Sequence, residues 1–290
     1  MKYLWKEKAV KLMLLAAAST SILIVTGIFV FLVKEGGAFV IKPGLKELLG
    51  SRWMPVSFQK ESFGILPLVT GSVLVTVLAT LLTIPFGISA SVYISELARP
   101  TEREILKPFI EILAGIPSVV IGFLGLMLLV PLIKAGFRLS TGLTALAGAV
   151  LLALMAIPTV ISISEDAIRG VPVSYKQASL ALGASKMQTV WKVTVPAALP
   201  GIIAAIMLGM GRVIGETMAV MMVTGNSAIL TASPFESVRT MTATIAAEMG
   251  EVAFGSNHYR ALFCVGIVLL LATFGINIIA QKVLQKHRVR

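Results

Sequence analysis

The chain has 290 residues, 57% of them hydrophobic and 13% charged, with a mean hydropathy of +0.93. Soluble domains run at about 45–50% apolar and about 25% charged, so this composition argues against a soluble enzyme. The single cysteine, Cys264, and the two histidines, His258 and His287, supply neither a disulfide framework nor a Cys-based zinc site.

Along the chain, uncharged runs cover 12–33, 62–95, 112–133, 139–164, 193–211 and 261–281. A helix needs roughly 20 apolar residues to cross a bilayer. The first run, behind Lys2, Lys6, Lys8 and Lys11, is 22 residues long, beyond the about 7–15 residues of a signal-peptide core, and is expected to be a retained membrane helix. The fifth run continues past Arg212 and Glu216 into a second apolar stretch, 218–223. One helix over about 200–224 is therefore expected, with an ion pair inside it. The reading is all-α, with six transmembrane helices. Residues 1–65 form the first helix and an external loop, and 66–290 form the core of the unit.

Most of the 25 Lys+Arg lie on the N-terminal segment, on loops near 99–107 and 169–192, and on the C-terminal tail. Basic residues collect on cytoplasmic segments, which puts both termini in the cytoplasm and explains the net charge of +11 without nucleic acid. Trp5 and Trp53 are expected near the two membrane interfaces. Pro85, Pro117, Pro131 and Pro158, within or at the ends of the spans, predict kinks.

The stretch 173–201 reads VSYKQASLALGASKMQTVWKVTVPAALPG. Ser174 with Gln177, and Ser185 with Gln188, are each spaced as a capping box. Gly183 suits the left-handed position that ends a helix, and Pro196 is expected to stop the second helix. Two short helices around a glycine turn are marginal alone. Tyr175, Ala178 and Leu182 on the first, and Met187, Val190 and Trp191 on the second, should therefore pack on their own bundle or on a separate protein. The order Gln177-Ala178-Ser179, Gly183, Val195-Pro196 resembles the EAA loop of ABC-importer permeases, with Gln177 in place of the family's Glu and Ser179 in place of its second Ala. In that family the loop docks on a cytoplasmic ATPase. The chain contains no G-x-x-x-x-G-K-[ST] phosphate loop, so ATP and Mg are expected on a partner ATPase, with no cofactor bound by this chain.

Arg212 lies twelve residues beyond Pro200, roughly 18 Å along a helix and near the middle of a hydrocarbon core about 30 Å thick. Such a charge costs about 2.5–3.5 kcal/mol on insertion scales and usually marks a cavity or a substrate path. Glu216, one turn on, can neutralise it in part. Gly209, Gly215 and Ala219 on the same face, and the Gly211/Gly215 spacing, allow either a close helix approach or room for a ligand. A guanidinium matches tetrahedral oxyanions such as phosphate, whereas a self-satisfied pair would only fix packing. Val238, Met241, Ile245 and Met249 repeat at helical spacing, as an amphipathic surface helix or a pore-lining gate.

The runs GRVIGETMAVMMVTGN at 211–226, ILAGIPSVVIG at 112–122 and RTMTATIAAEMG at 239–250 resemble the phosphate-specific ABC importer permeases of the PstC type. The likeness extends from about Trp53 to Ala280. It implies a type I importer permease fold of the MetI-like kind. It also implies a heterodimer with a PstA-like permease, a PstB-like ATPase dimer and an external PstS-like phosphate-binding protein. Arg212 and Glu216 match the family's proposed translocation pair, and Thr217 follows them in the motif. Other readings are a permease for sulfate or molybdate, the PstA-like sister subunit, an ion-coupled secondary anion transporter, and a membrane scaffold.

Overall fold

The computed structural model describes residues 2–57 and 60–287. The expectations for Trp5 and for Lys2, Lys6, Lys286, Arg288 and Arg290 fall outside the described side chains. In chain order, α1 (Lys2–Phe39) leads through a kink at Lys42 to α2 (Leu45–Leu48) and a hairpin of β1 (Trp53–Met54) with β2 (Ser62–Phe63), Trp53 opposite Phe63. Then come α3 (Leu66–Val92), α4 (Pro100–Gly115), α5 (Ser118–Leu124), α6 (Val130–Phe137), α7 (Ala145–Arg169), α8 (Val173–Ala181) and α9 (Lys186–Thr189). The chain closes with α10 (Val195–Gly215), α11 (Met218–Val223), α12 (Met241–Glu248) and α13 (Asn257–His287).

Among the described residues, six stretches are long and apolar enough to cross a membrane: Glu7–Leu48, Leu66–Leu97, Ser118–Phe137, Ala145–Arg169, Lys186–Gly215 and Asn257–Ile279. Their number matches the sequence reading, but two boundaries move for identifiable reasons. The third span starts at Ser118, because Ile116 before Pro117 is extended (φ −66°, ψ 129°) and a residue preceding proline is pushed out of the α region. Residues 112–115 therefore close α4. The expected single helix over 200–224 is also corrected: α10 ends at Gly215, Glu216 is extended (φ −70°, ψ 134°) and a separate α11 begins at Met218.

Pro196 does not stop a helix. A π-helical turn, Val190–Thr194, joins α9 to α10, so helical backbone runs unbroken over Lys186–Gly215. Proline is tolerated in the first turn after such a join, where its missing N–H matters least.

The span formed by α7 is the hub, 61% buried over its most apolar window against 28% or less for the others, and it packs between α3 and α10. Val160 of α7 sits where a Cβ on Gly87 of α3 or Gly209 of α10 would approach it to 2.9 and 2.7 Å. Glycine at both positions lets the three helices close on that one side chain. Three apolar clusters stack along the bundle. One at the hairpin end holds Phe39, Trp53, Phe63 and Leu262, a middle one holds Val75, Leu151, Met155 and Val220, and one at the opposite end holds Val92, Ile168, Val190 and Ile202. α1 packs on α13, through the edge-to-face Phe31–Phe263 pair at 5.3 Å and the Cys264 thiol, which donates to the Gly36 carbonyl at 3.0 Å.

Candidate functional site

The break between α10 and α11 is the centre of the candidate site. Arg212 occupies the last turn of α10, where the carbonyl end of the helix dipole favours a cation. Its Nη1 donates to Thr159 Oγ1 and its Nη2 to the Ala114 carbonyl, both at 3.4 Å. Ala114 lies in the last turn of α4, so the carboxyl ends of two helices converge on one guanidinium.

Glu216 does not complete an ion pair with Arg212, contrary to the sequence expectation. Its Oε1 accepts from the Ala219 N–H at 3.3 Å, capping the first turn of α11 as a carboxylate near a helix amino end should. The pairing was expected from one continuous helix, and the backbone turn at Glu216 removes the i,i+4 relation on which it depended. The break is held from outside by Thr242 of α12, whose hydroxyl donates to the Glu216 carbonyl at 2.9 Å. Thr217 Oγ1 donates to the Gly215 carbonyl at 3.3 Å.

Arg212 is exposed on the surface of this chain, as are Gly211 and Gly215, and a Cβ added at either glycine would meet nothing within 4 Å. Of Gly209, Gly211 and Gly215, Gly209 is the one at a close helix approach, an added Cβ there meeting Val160 at 2.7 Å. Non-helical backbone at membrane depth is tolerated where it is buried in protein or lines a watery cavity, and the same holds for a charged side chain.

The loop 173–201 forms two helices around Gly183, which takes the left-handed conformation (φ 85°). Ser185 and Gln188 form the reciprocal capping box at 3.2 and 2.8 Å. The expected box at Ser174 and Gln177 is absent because α8 begins two residues earlier, after Pro172. Of the two apolar stripes, Val190 is buried, while Tyr175, Leu182, Met187 and Trp191 are exposed, Leu182 to 90%. Gln177 and Ala178 are exposed and Pro196 borders the same end. The Ser179 hydroxyl bridges to that of Thr189 at 2.9 Å, so the departure from Ala at 179 ties α8 to α9. A groove of about 540 Å³ opens on Tyr175, Ala178, Ser179, Leu182, Gln188 and Lys192.

Sequence reasoning missed two charged clusters. At the loop end, Glu165 of α7 is only 1% exposed and pairs with Arg103, with Lys107 at 3.0 Å and with Arg169 at 3.6 Å. The hydrogen bond to Glu165 raises the pKa of Lys107 above the ordinary lysine value. At the hairpin end, Glu248 accepts from Trp53 Nε1 at 3.1 Å, Arg239 Nη1 at 2.6 Å and His258 Nε2 at 2.8 Å. Trp53 is thus buried in the core at the hairpin end. Met241, Ile245 and Met249 pack into that same core, so α12 is an internal prop rather than an amphipathic surface helix. A cleft of about 570 Å³ lies beside Glu248 and His258, away from Arg212, which stands on an exposed face of the chain.

Residues 83–289 match the family model described as "Binding-protein-dependent transport system inner membrane component". The chain is 40% identical over 264 residues to "Probable ABC transporter permease protein YqgH" of Bacillus subtilis, covering 90% of this chain and 84% of that protein. It is 31% identical over 294 residues to "Phosphate transport system permease protein PstC" of Mesorhizobium japonicum, covering 95% and 89%. Among solved structures, a bacterial ABC transporter for the import of alginate shares the fold with a TM-score of 0.67 at 14% identity, over 99% of both chains. The MetNI methionine ABC transporter, facing inward, does so with a TM-score of 0.58 at 19% identity, over 78% of this chain and 95% of that one.

Proposed function

The chain belongs to the family of binding-protein-dependent transport system inner-membrane components, and on that premise we propose that it is the permease subunit of an ATP-driven importer that carries inorganic phosphate into the cell. Membership of this family leaves no place for the ion-coupled carrier and the scaffold. The observation that carries the phosphate reading is Arg212. Among the described residues its hydrogen-bond partners are the neutral oxygens of Thr159 and Ala114, both at 3.4 Å, which leaves a full positive charge for an anion to neutralise. Charge-assisted bonds from a guanidinium to a tetrahedral oxyanion are shorter and about twice as strong as neutral ones. The likeness to PstC proteins of other bacteria supports phosphate as that anion.

The exposed guanidinium calls for a second permease, PstA-like, to close the path over Arg212, Glu216 and Thr217. The exposed Tyr175, Leu182, Met187 and Trp191 suit the PstB-like ATPase dimer, on which ATP and Mg²⁺ bind, and the coupling loop includes Gln177, Ala178, Ser179, Gly183 and Pro196. The loop end is then cytoplasmic, with both termini inside, and the hairpin end receives the PstS-like phosphate-binding protein. The unbroken helix over Lys186–Gly215 gives the mechanism its lever. At about 1.5 Å per residue, Lys186 and Arg212 are joined by roughly 40 Å of helix, so a push at the loop is delivered at the site. Glu216, held at the start of α11, keeps the path from trapping phosphate.

The test is uptake of labelled phosphate by the reconstituted complex, with sulfate and molybdate as competitors. Phosphate uptake that resists both competitors and is lost in Arg212→Leu, in complexes that still assemble, is expected. Uptake unaffected by Arg212→Leu refutes the role of this residue, and uptake displaced by sulfate or molybdate reassigns the substrate.

A further inference from the structure

Arg212 is placed partly by its neighbour α4, and α4 is tied to α7 by a buried charged cluster. Three cations surround Glu165, and two of them, Arg103 and Lys107, are one turn apart on α4. A carboxylate 1% exposed has no water to replace lost partners, so its hold on them is strong. On the same face of α4, two turns beyond Lys107, is Ala114, whose carbonyl accepts from Arg212.

The spacing along the two helices agrees. From Lys107 to Ala114 is seven residues, about 10.5 Å, and from Glu165 back to Thr159 is six residues of α7, about 9 Å. α4 and α7 therefore meet twice in matched register, at Glu165 with Lys107 and at the level where Thr159 and Ala114 share the guanidinium. Between Gly115 and Ser118 the backbone is extended, so the carboxyl end of α4 has no helical continuation to hold it. The charged ties of α4 to α7 lie at its other end, at Arg103 and Lys107.

We propose that Glu165 is a positioning residue for the translocation site: by clamping Arg103 and Lys107 of α4 against α7, it sets the Ala114 carbonyl at the distance that orients the Arg212 guanidinium. This inference rests on the reading of Arg212 as the anion-binding group. Glu165 itself does not touch the substrate.

The geometry is read directly by nitroxides at positions 115 and 211, introduced as Gly115→Cys and Gly211→Cys in a Cys264→Ser chain within the assembled complex. Both glycines have open space around an added Cβ. Glu165→Gln keeps the shape of the side chain and removes its charge. It is expected to abolish the dipolar broadening between the two labels. In the unlabelled complex it is expected to raise the KM for phosphate by about tenfold to a hundredfold, the penalty of a misplaced binding group, with basal ATPase activity unchanged. Glu165→Asp is expected to restore part of both. Broadening retained in Glu165→Gln overturns the proposal, whatever happens to uptake. Broadening lost with KM unchanged upholds the clamp and overturns the assignment of Arg212 as the anion-binding group. Should Glu165→Gln fail to assemble, Arg103→Gln removes one strut of the clamp while Lys107 and Arg169 still neutralise Glu165. It must then reduce the broadening, and full broadening in Arg103→Gln overturns the proposal.

Discussion

The guanidinium of Arg212 reaches the carbonyl of Ala114, 98 residues earlier in the chain, and not the carboxylate of Glu216 four residues later. Each charge is met by the end of a helix. Arg212 faces the carbonyl ends of α10 and α4, and Glu216 accepts from the first turn of α11. This arrangement separates two charges that a continuous helix would have let cancel.

Exchanging the two charges is therefore expected to fail structurally. Arg212→Glu with Glu216→Arg sets a carboxylate against helix carbonyls and a guanidinium against helix N–H groups. The mismatch costs about 0.3–1 kcal/mol at the exposed position 212 and up to about 2 kcal/mol at the half-buried position 216. A fall in thermal stability of the purified complex is the expected measurement, and an unchanged transition would show that the two residues pair with each other after all.

At the other end of the same span, Pro196→Ala is expected to change stability by less than about 1 kcal/mol, because the helix already passes through this position. A large gain in helix content by circular dichroism would indicate that Pro196 does interrupt the span.

Leu182 is 90% exposed, so Leu182→Ala should leave the folding of this subunit unaltered. If the residue is covered by the ATPase, the substitution removes up to about 1.5–3 kcal/mol of apolar burial, read as a weaker affinity of the ATPase for the permease pair. Equal affinity would take Leu182 out of that interface.

Glu248 joins Trp53, Arg239 and His258, which come from the hairpin, the segment before α12 and α13. Glu248→Ala leaves a half-buried guanidinium and an indole N–H without their acceptor. The expected loss is about 2–3 kcal/mol, below the about 3–5 kcal/mol of a fully buried pair because Arg239 is 23% exposed. Differential scanning calorimetry of the complex would measure it.

The spans, the two-helix loop, the left-handed Gly183 and the box at Ser185 and Gln188 could all be read from apolar run length, capping spacing and glycine. The break at Glu216 had a signal that was outweighed: Gly215 followed by Thr217 is a pair suited to ending one helix and starting the next, but continuous hydrophobicity on both sides suggested one span. Pro196 reads as a helix stop for the opposite reason, because a π-helical turn leaves no mark in composition. The contacts of Arg212 with Ala114 and of Glu165 with α4 join residues 98 and about 60 positions apart, and no local period encodes such pairings. Only the charges at Arg103 and Lys107, one turn apart beside a buried run, hinted at a shared carboxylate.

The central claim is that Arg212 stands on a watery path taken by phosphate. Gly215→Cys in a Cys264→Ser chain places a thiol one turn from Arg212, at an exposed position with open space around an added Cβ, while Arg212 itself is kept. The direct measurement is the rate at which a charged, water-borne thiol reagent modifies that cysteine in the assembled complex, with and without phosphate. The account predicts modification that phosphate slows and sulfate does not. A thiol that stays unmodified throughout the ATP cycle, or one modified at the same rate with phosphate present, would contradict it.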